Sequence, residues 1–168
     1  MFAVASLAAC KKSSSTTPLT TSTTTTTTIP IDGWKLNGIS YKQAYCLRQT
    51  NVVALNAVDA TTGTINSFAA FFKAYPTASG TYHIVKFVAD STSTIPGNKI
   101  GANDIIIMGS IPKTGGGSGD KSYWTMGYDG KDATVTVTSG KIKIEVPEVA
   151  VTSGANDTLI ITGTMVEN

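Results

Sequence analysis

Apolar and polar residues alternate with period two through the last third of the chain. Thr134-Val135-Thr136-Val137-Thr138 alternates strictly, Ser139-Gly140 breaks the run, and Lys141-Ile142-Lys143-Ile144-Glu145-Val146 alternates again. Successive side chains of a strand point to opposite faces. The stretch therefore reads as a β-hairpin with a two-residue turn, valine and isoleucine toward a core and threonine, lysine and glutamate toward water. Upstream, Ser122–Tyr128 places Trp124, Met126 and Tyr128 on one face and Tyr123 on the other, then meets Asp129-Gly130, a second hairpin signal. Thr158–Val166 reads as the last strand. Four more are expected in the middle, at Asn51–Ala60, Ile65–Ala74, Gly80–Ala89 and Asp104–Ile111, with turn-rich sequence between them. Ser67–Ala74 also fits one or two helical turns, but its short length, its three phenylalanines and the flanking turn residues favour a strand. With Trp34–Lys42 as the first, nine strands and no helix are expected. That predicts an all-β domain over residues 32–168, an antiparallel β-sandwich or a barrel.

The alternation is missing before residue 32. Lys11-Lys12 lead into Ser13–Thr17, Pro18 and a threonine-dominated run to Thr28. So few apolar side chains cannot offset the entropy of ordering the backbone, so residues 10–31 are expected to be a disordered or extended tether. Threonine and proline make it stiffer than a glycine–serine linker. The length of 168 residues fits one domain, two at most, and 41% apolar residues suffice for a core. Only 14% of residues are charged, and 13 basic residues against 11 acidic ones give +2 with no basic cluster, so nucleic-acid binding is not expected. No run approaches the ~18 apolar residues of a membrane-spanning helix. The two cysteines, Cys10 and Cys46, lie in segments of unlike composition and read as unrelated, Cys46 as a small buried apolar residue.

Residues 1–9 are apolar and end in small residues, as the end of a signal peptide does, and without a basic residue they read as the remnant of a leader. Leu7-Ala8-Ala9-Cys10 resembles the bacterial lipobox. That resemblance implies cleavage before Cys10, a diacylglycerol on its sulfur and an acyl group on its amine. Several chains anchor stably where one anchors marginally. The other reading of these residues is an apolar N-terminus with a free cysteine. Cys-Lys-Lys-Ser, the Trp-x-Leu-x-Gly opening at Trp34–Gly38, Ser79-Gly80-Thr81-Tyr82, the Val-Thr-Val-Thr/Gly-Lys-Ile hairpin and a closing strand followed by an acid and asparagine together resemble small all-β outer-membrane lipoproteins of Bacteroidota. The resemblance implies a β-sandwich in the cell envelope, periplasm-facing or surface-exposed, and supplies no catalytic residue or cofactor. Asp90-Ser91-Thr92 and Asp157-Thr158-Leu159 resemble the short O-glycosylation signal of the same phylum, which marks Ser91 and Thr158.

The supply of chemistry is thin. His83 is the only histidine and lies in phase with Val85 and Phe87, so a catalytic triad or a zinc site would have to be built around one strand histidine. The carboxylates that could pair for glycoside hydrolysis are Asp90, Asp104, Asp120, Asp129, Asp132, Asp157, Glu145 and Glu148; most sit beside glycine or asparagine in turns, where aspartate serves local hydrogen bonding. Glu145 and Glu148 flank Pro147. The oxygen-rich Asp129–Asp132 and Asn156-Asp157 do not have the spacing of a calcium loop, and the glycines of 115–119 lack the Lys-Ser/Thr of a phosphate loop. No metal and no cofactor are expected. Aromatic residues could stack on sugars, with Tyr123, Trp124 and Trp34 as the candidates, although tryptophans of a domain this size are mostly core. The sequence thus points to a lipid-anchored, non-enzymatic cell-envelope protein with a structural, adhesion or accessory role. Its partners are the membrane through the anchor and a carbohydrate or another envelope protein. The alternative is a glycan-binding surface lipoprotein module.

Overall fold

The computed structural model describes residues 28–30, 32–59, 66–88, 100–112, 120–127, 129–154 and 157–168; Cys10, Asp90, Ser91 and Tyr128 lie outside them. Among the described residues the protein is all-β. Its strands are β1 (Gly33–Leu36), β2 (Ile39–Lys42), β3 (Tyr45–Arg48), β4 (Ala54–Asp59), β5 (Asn66–Phe71), β6 (Gly80–Ile84), β7 (Asp104–Pro112), β8 (Asp120–Thr125), β9 (Asp132–Thr138), β10 (Lys141–Thr152) and β11 (Thr158–Val166). All belong to one sheet of order β2-β1-β11-β10-β9-β6-β7-β5-β4-β3, with β8 paired to both β10 and β7. Pairing is antiparallel except for two residues of β6 against β7.

Three expectations need correction. The stretch Trp34–Lys42 is a hairpin, not one strand. Asn37 and Gly38 take φ of 51° and 81° and join Leu36 to Ile39, the turn whose twist matches that of the flanking strands. The short β3 was not anticipated, so there are eleven strands where nine were expected. Asp129-Gly130 does not make a hairpin, because β8 and β9 are not partners. Both lie along the same side of β10, β9 against Lys141–Glu145 and β8 against Val151-Thr152. β10 can serve both because a bulge shifts its register between Val146 and Val149, around Pro147, which lacks the N–H a regular ladder needs. The hairpin at Ser139-Gly140 forms as expected, with Thr138 opposite Lys141, and Ser67–Phe71 is strand. Gly38→Ala tests the first turn. A Cβ there meets open space, so the cost is that of the left-handed backbone alone, about 1 kcal/mol in urea denaturation.

The sheet rolls until its two halves face each other across one core. Trp34 on β1 packs against Phe68 on β5, ring centroids 5.8 Å apart. Gly109 on β7 sits so close to β11 that a Cβ would lie 2.8 Å from the Ile161 side chain. Between the halves lie Leu36, Leu55, Ile84, Ile105, Ile107, Ile142, Ile144 and Met165, all buried. The edges β2 and β3 are consecutive in sequence, so the chain itself turns the corner at Gln43-Ala44. The tail of β11 closes the seam. Val166 and Gln43 exchange two hydrogen bonds, N–H to Oε1 at 2.9 Å and Nε2 to the carbonyl at 2.6 Å. The Asn168 N–H donates to the Cys46 carbonyl at 3.0 Å, and the Cys46 N–H donates to Asn168 Oδ1. Cys46 is a free, buried thiol, pushed up to about 12 by burial and then by the charge of Glu167; it packs as a small apolar residue and is chemically inert.

Candidate functional site around strand β8

β8 carries two of the three aromatic candidates and sends them opposite ways. Tyr123 pairs with Gly109 on the core face and is buried; Trp124 pairs with Met108 on the outer face and is half-buried. Outward chemistry is unusual in this half of the sheet. β9 and β10 present Thr134, Thr136, Lys141 and Lys143 to water, whereas β4, β5 and β7 are apolar on both faces, as strands buried on both sides are. On the outer face Ala69 and Ile106 are themselves buried. There Trp124 stacks on Phe87 at 4.2 Å and 22°, and Phe71 lies 5.3 Å away at 37°. Phe87 thus takes one face of the indole, and the three rings form a packed group, not a flat platform.

Trp34 has no ring face toward solvent. It is 1% exposed, between Phe68 and a parallel Tyr41 ring at 5.4 Å. Among the described residues its indole N–H meets no acceptor, and an unsatisfied buried donor costs about 1–3 kcal/mol. An open groove of about 420 Å³ runs beside it, lined by Asp32, Ser40, Tyr41 and Lys42 among others. Burial and then the charge of Asp59 push the Tyr41 phenol above its ordinary value, so it is a neutral hydrogen-bonding group at physiological pH.

The inward side of β8 ends in a polar knot. Asp157, in the β10–β11 turn, pairs with Lys121 and accepts from the Tyr123 hydroxyl at 3.1 Å and the Ser153 hydroxyl at 3.2 Å through the same oxygen. The Lys121 ammonium holds the carboxyl below its ordinary value, with Tyr123 and Ser153 adding to that against the cost of burial; Asp157 in turn raises Lys121. A carboxylate held ionised and an ammonium held protonated are poorly matched to proton transfer near neutrality. The knot pins the turn to β8. It leaves Thr158, the next residue, exposed at the start of β11, its hydroxyl 3.7 Å from the Met126 sulfur.

The remaining candidates are dispersed. His83 is exposed on the outer face of β6 and pairs through Nδ1 with its cross-strand neighbour Asp132 at 2.8 Å. Asp104 accepts the Gly101 N–H at 3.0 Å and Asp129 the Lys131 N–H at 3.2 Å, the local bonding expected of turn aspartates. Among the described residues no three His, Cys, Asp or Glu side chains converge. Phe71 and Phe87, which build the aromatic group, were not singled out by sequence, although Phe71 falls on the outer face of β5 by simple alternation. Comparisons with protein-family models, curated proteins and solved structures return no match for this chain.

Proposed function

We propose that this chain is a lipid-anchored, non-catalytic domain of a bacterial cell envelope with a structural, adhesion or accessory role. The observation that carries it is the order of parts: Leu7-Ala8-Ala9-Cys10, then a threonine-rich stretch, then directly the first strand of a rolled sheet. A thiol at the end of a small-residue leader is the nucleophile a lipid donor needs, and the threonine-rich stretch is long enough to hold a domain off a surface. The described part of the domain supports the reading in two ways. Large apolar side chains fill the interior of the roll, and the Lys121–Asp157, His83–Asp132 and Arg48–Glu167 groups bond to one another. The alternative, a glycan-binding surface module, is supported by the half-exposed aromatic group at Trp124.

The anchor is tested by expressing the gene from its upstream start, wild type and Cys10→Ala, and following fatty-acid incorporation and membrane partitioning. Wild type is expected to be labelled and membrane-bound, and Cys10→Ala unlabelled and soluble. An unlabelled wild type would sink the reading of Cys10.

A further inference from the structure

We infer that the groove between the 74–82 segment and the turn that enters β7 is a binding site for a neutral carbohydrate. The inference rests on the glycan-binding reading and is independent of lipidation, which the Cys10→Ala experiment tests separately. The groove encloses about 430 Å³, within the roughly 300–1,000 Å³ of small-molecule sites. Tyr75, Thr77, Ser79, Tyr82 and Asn103 contribute its chemistry. Thr81 borders it too, but stands opposite exposed Thr134 on the other face of β6, and among the described residues no lining residue is charged.

The walls are fixed before any ligand arrives. The Tyr75 hydroxyl lies 3.0 Å from the carbonyls of both Gln49 and Ala54 and accepts the Ala54 N–H at 3.2 Å, which ties the segment to β4. The Arg48 guanidinium sits 4.9 Å over the Tyr75 ring. Ser79 Oγ accepts the Val137 N–H at 2.9 Å, binding the segment to β9. Tyr82 meets the Phe72 ring edge-on at 5.6 Å. Opposite, the Asn103 carbonyl accepts the His83 N–H at 2.8 Å. The Tyr75, Ser79 and Tyr82 side chains, held this way, lose little further entropy on binding.

What stays free is hydrogen-bonding capacity. Thr77 and Asn103 are exposed, and their side chains bond to no other group among the described residues. A hydroxyl and an amide supply both donors and acceptors, and Tyr82 supplies apolar ring surface with a polar tip, while Tyr75, its hydroxyl already bonded to β4, offers only ring surface. A sugar presents that combination in return, hydroxyls around its rim and C–H groups on its faces. The absence of lining charge favours a neutral sugar over uronates, sialic acids or phosphates. Gly80 matters by what it lacks: a Cβ there would stand 4.0 Å from the edge of the Tyr82 ring, so glycine leaves that edge open.

The test is titration of the ¹⁵N-labelled full chain with cellohexaose, maltohexaose and mannohexaose at millimolar concentration, read by amide chemical shifts. At least one hexaose is expected to move the amides of Gly80, Thr81, Tyr82 and Asn103. Tyr82→Ala and Asn103→Ala are each expected to weaken that hexaose about tenfold, or about 1.4 kcal/mol. Should Tyr82→Ala fail to fold, Gly80→Leu decides the matter, because it fills the groove from a position with no strained backbone; it is expected to abolish the shifts while leaving the core amides of Ile144 and Met165 in place. Silence of these amides toward all three sugars, shifts confined to Trp124, binding unaffected by Gly80→Leu, or response to a neutral serine–glycine peptide but to no hexaose would each overturn the inference.

Discussion

Gly163→Ala is expected to remove about 3 kcal/mol or more from folding stability, a large share of the roughly 5–15 kcal/mol a domain has. Gly163 lies on β11 opposite Trp34, on the core face. A Cβ built there would stand 2.5 Å from the Trp34 Cβ and 2.7 Å from both the Trp34 Cα and the Gly33 carbonyl oxygen. Side chains directly opposite on antiparallel strands normally keep Cβ atoms about 4.5–5.5 Å apart. Two of the three clashing atoms are backbone, so no rotamer change relieves them. β1 cannot retreat either, because on its far side Gly33, at φ 151°, is pressed against β2, where a Cβ would meet the Tyr41 carbonyl at 2.1 Å. Overpacking usually costs about 1–3 kcal/mol, and a clash that must separate paired strands falls at or above the top of that range. Gly127→Ala is the control. Its added methyl meets nothing within 4 Å, and a change within about 0.5 kcal/mol is expected. Urea denaturation of the two variants checks both. A Gly163→Ala protein with a wild-type midpoint would mean that β1 and β11 are not packed this closely.

The fold was legible wherever one face of a strand meets water. β9 and the front of β10 alternate cleanly, and the last strand spans Thr158–Val166 as expected, although its residues 161–165 are all buried and do not alternate. Legibility fell where that contrast disappears. β4, β5 and β7 are apolar on both faces, so periodicity located them without telling which side is core. β3 is four residues long with Cys46 as its only buried side chain, too little pattern to separate from a loop. The signal for the β1–β2 turn was present as Asn37-Gly38, but the nine-residue run around it reads equally as one strand. Asp129-Gly130 shows the converse. A local turn signal says nothing about which strands pair: β8 pairs along its length with β7, from Met108 opposite Trp124 to Pro112 opposite Asp120, and at its end with β10.

For the candidate site, alternation placed Tyr123 and Trp124 on opposite faces but could not say which face is core. Tyr123 lies opposite Gly109 on the core face, where a Cβ on Gly109 would press on the Ile161 side chain and touch that of Leu36. Trp34 went to the core, as tryptophans of small domains do. The Tyr75–Tyr82 groove could not be read from the sequence at all. Its shape depends on Tyr75 reaching back to Gln49 and Ala54 and on Ser79 reaching Val137, contacts that span 21, 26 and 58 positions.

Glu167→Gln is expected to lower stability at neutral pH by about 2 kcal/mol, the scale of a hydrogen bond to a charged group, and to flatten the acid side of the stability profile. Glu167 ties three elements together at the seam. Its Oε1 accepts from Arg48 Nε at 2.7 Å, its Oε2 accepts from Arg48 Nη2 at 3.1 Å and from the Ile142 N–H at 2.8 Å, and Arg48 Nη2 also reaches the Gly140 carbonyl at 2.6 Å. Burial alone would raise the Glu167 carboxyl; the Arg48 guanidinium and the Ile142 N–H outweigh it and hold the group below its ordinary value. A carboxyl lowered by folding stabilises the fold above its unfolded value, about 4.3 for glutamate, and loses that contribution as pH falls through the lower folded value. Wild type should therefore lose more stability than Glu167→Gln between about pH 6 and about pH 3. Arg48 is 39% exposed, so solvent screens the ion pair and leaves it about 1 kcal/mol or less; most of the loss must come from the Ile142 N–H and the partly buried carboxylate. Arg48→Ala should accordingly cost less than Glu167→Gln, and a double-mutant cycle should show positive coupling between them. Equal acid slopes for wild type and Glu167→Gln in urea titrations at the two pH values would show that Glu167 does not hold the seam.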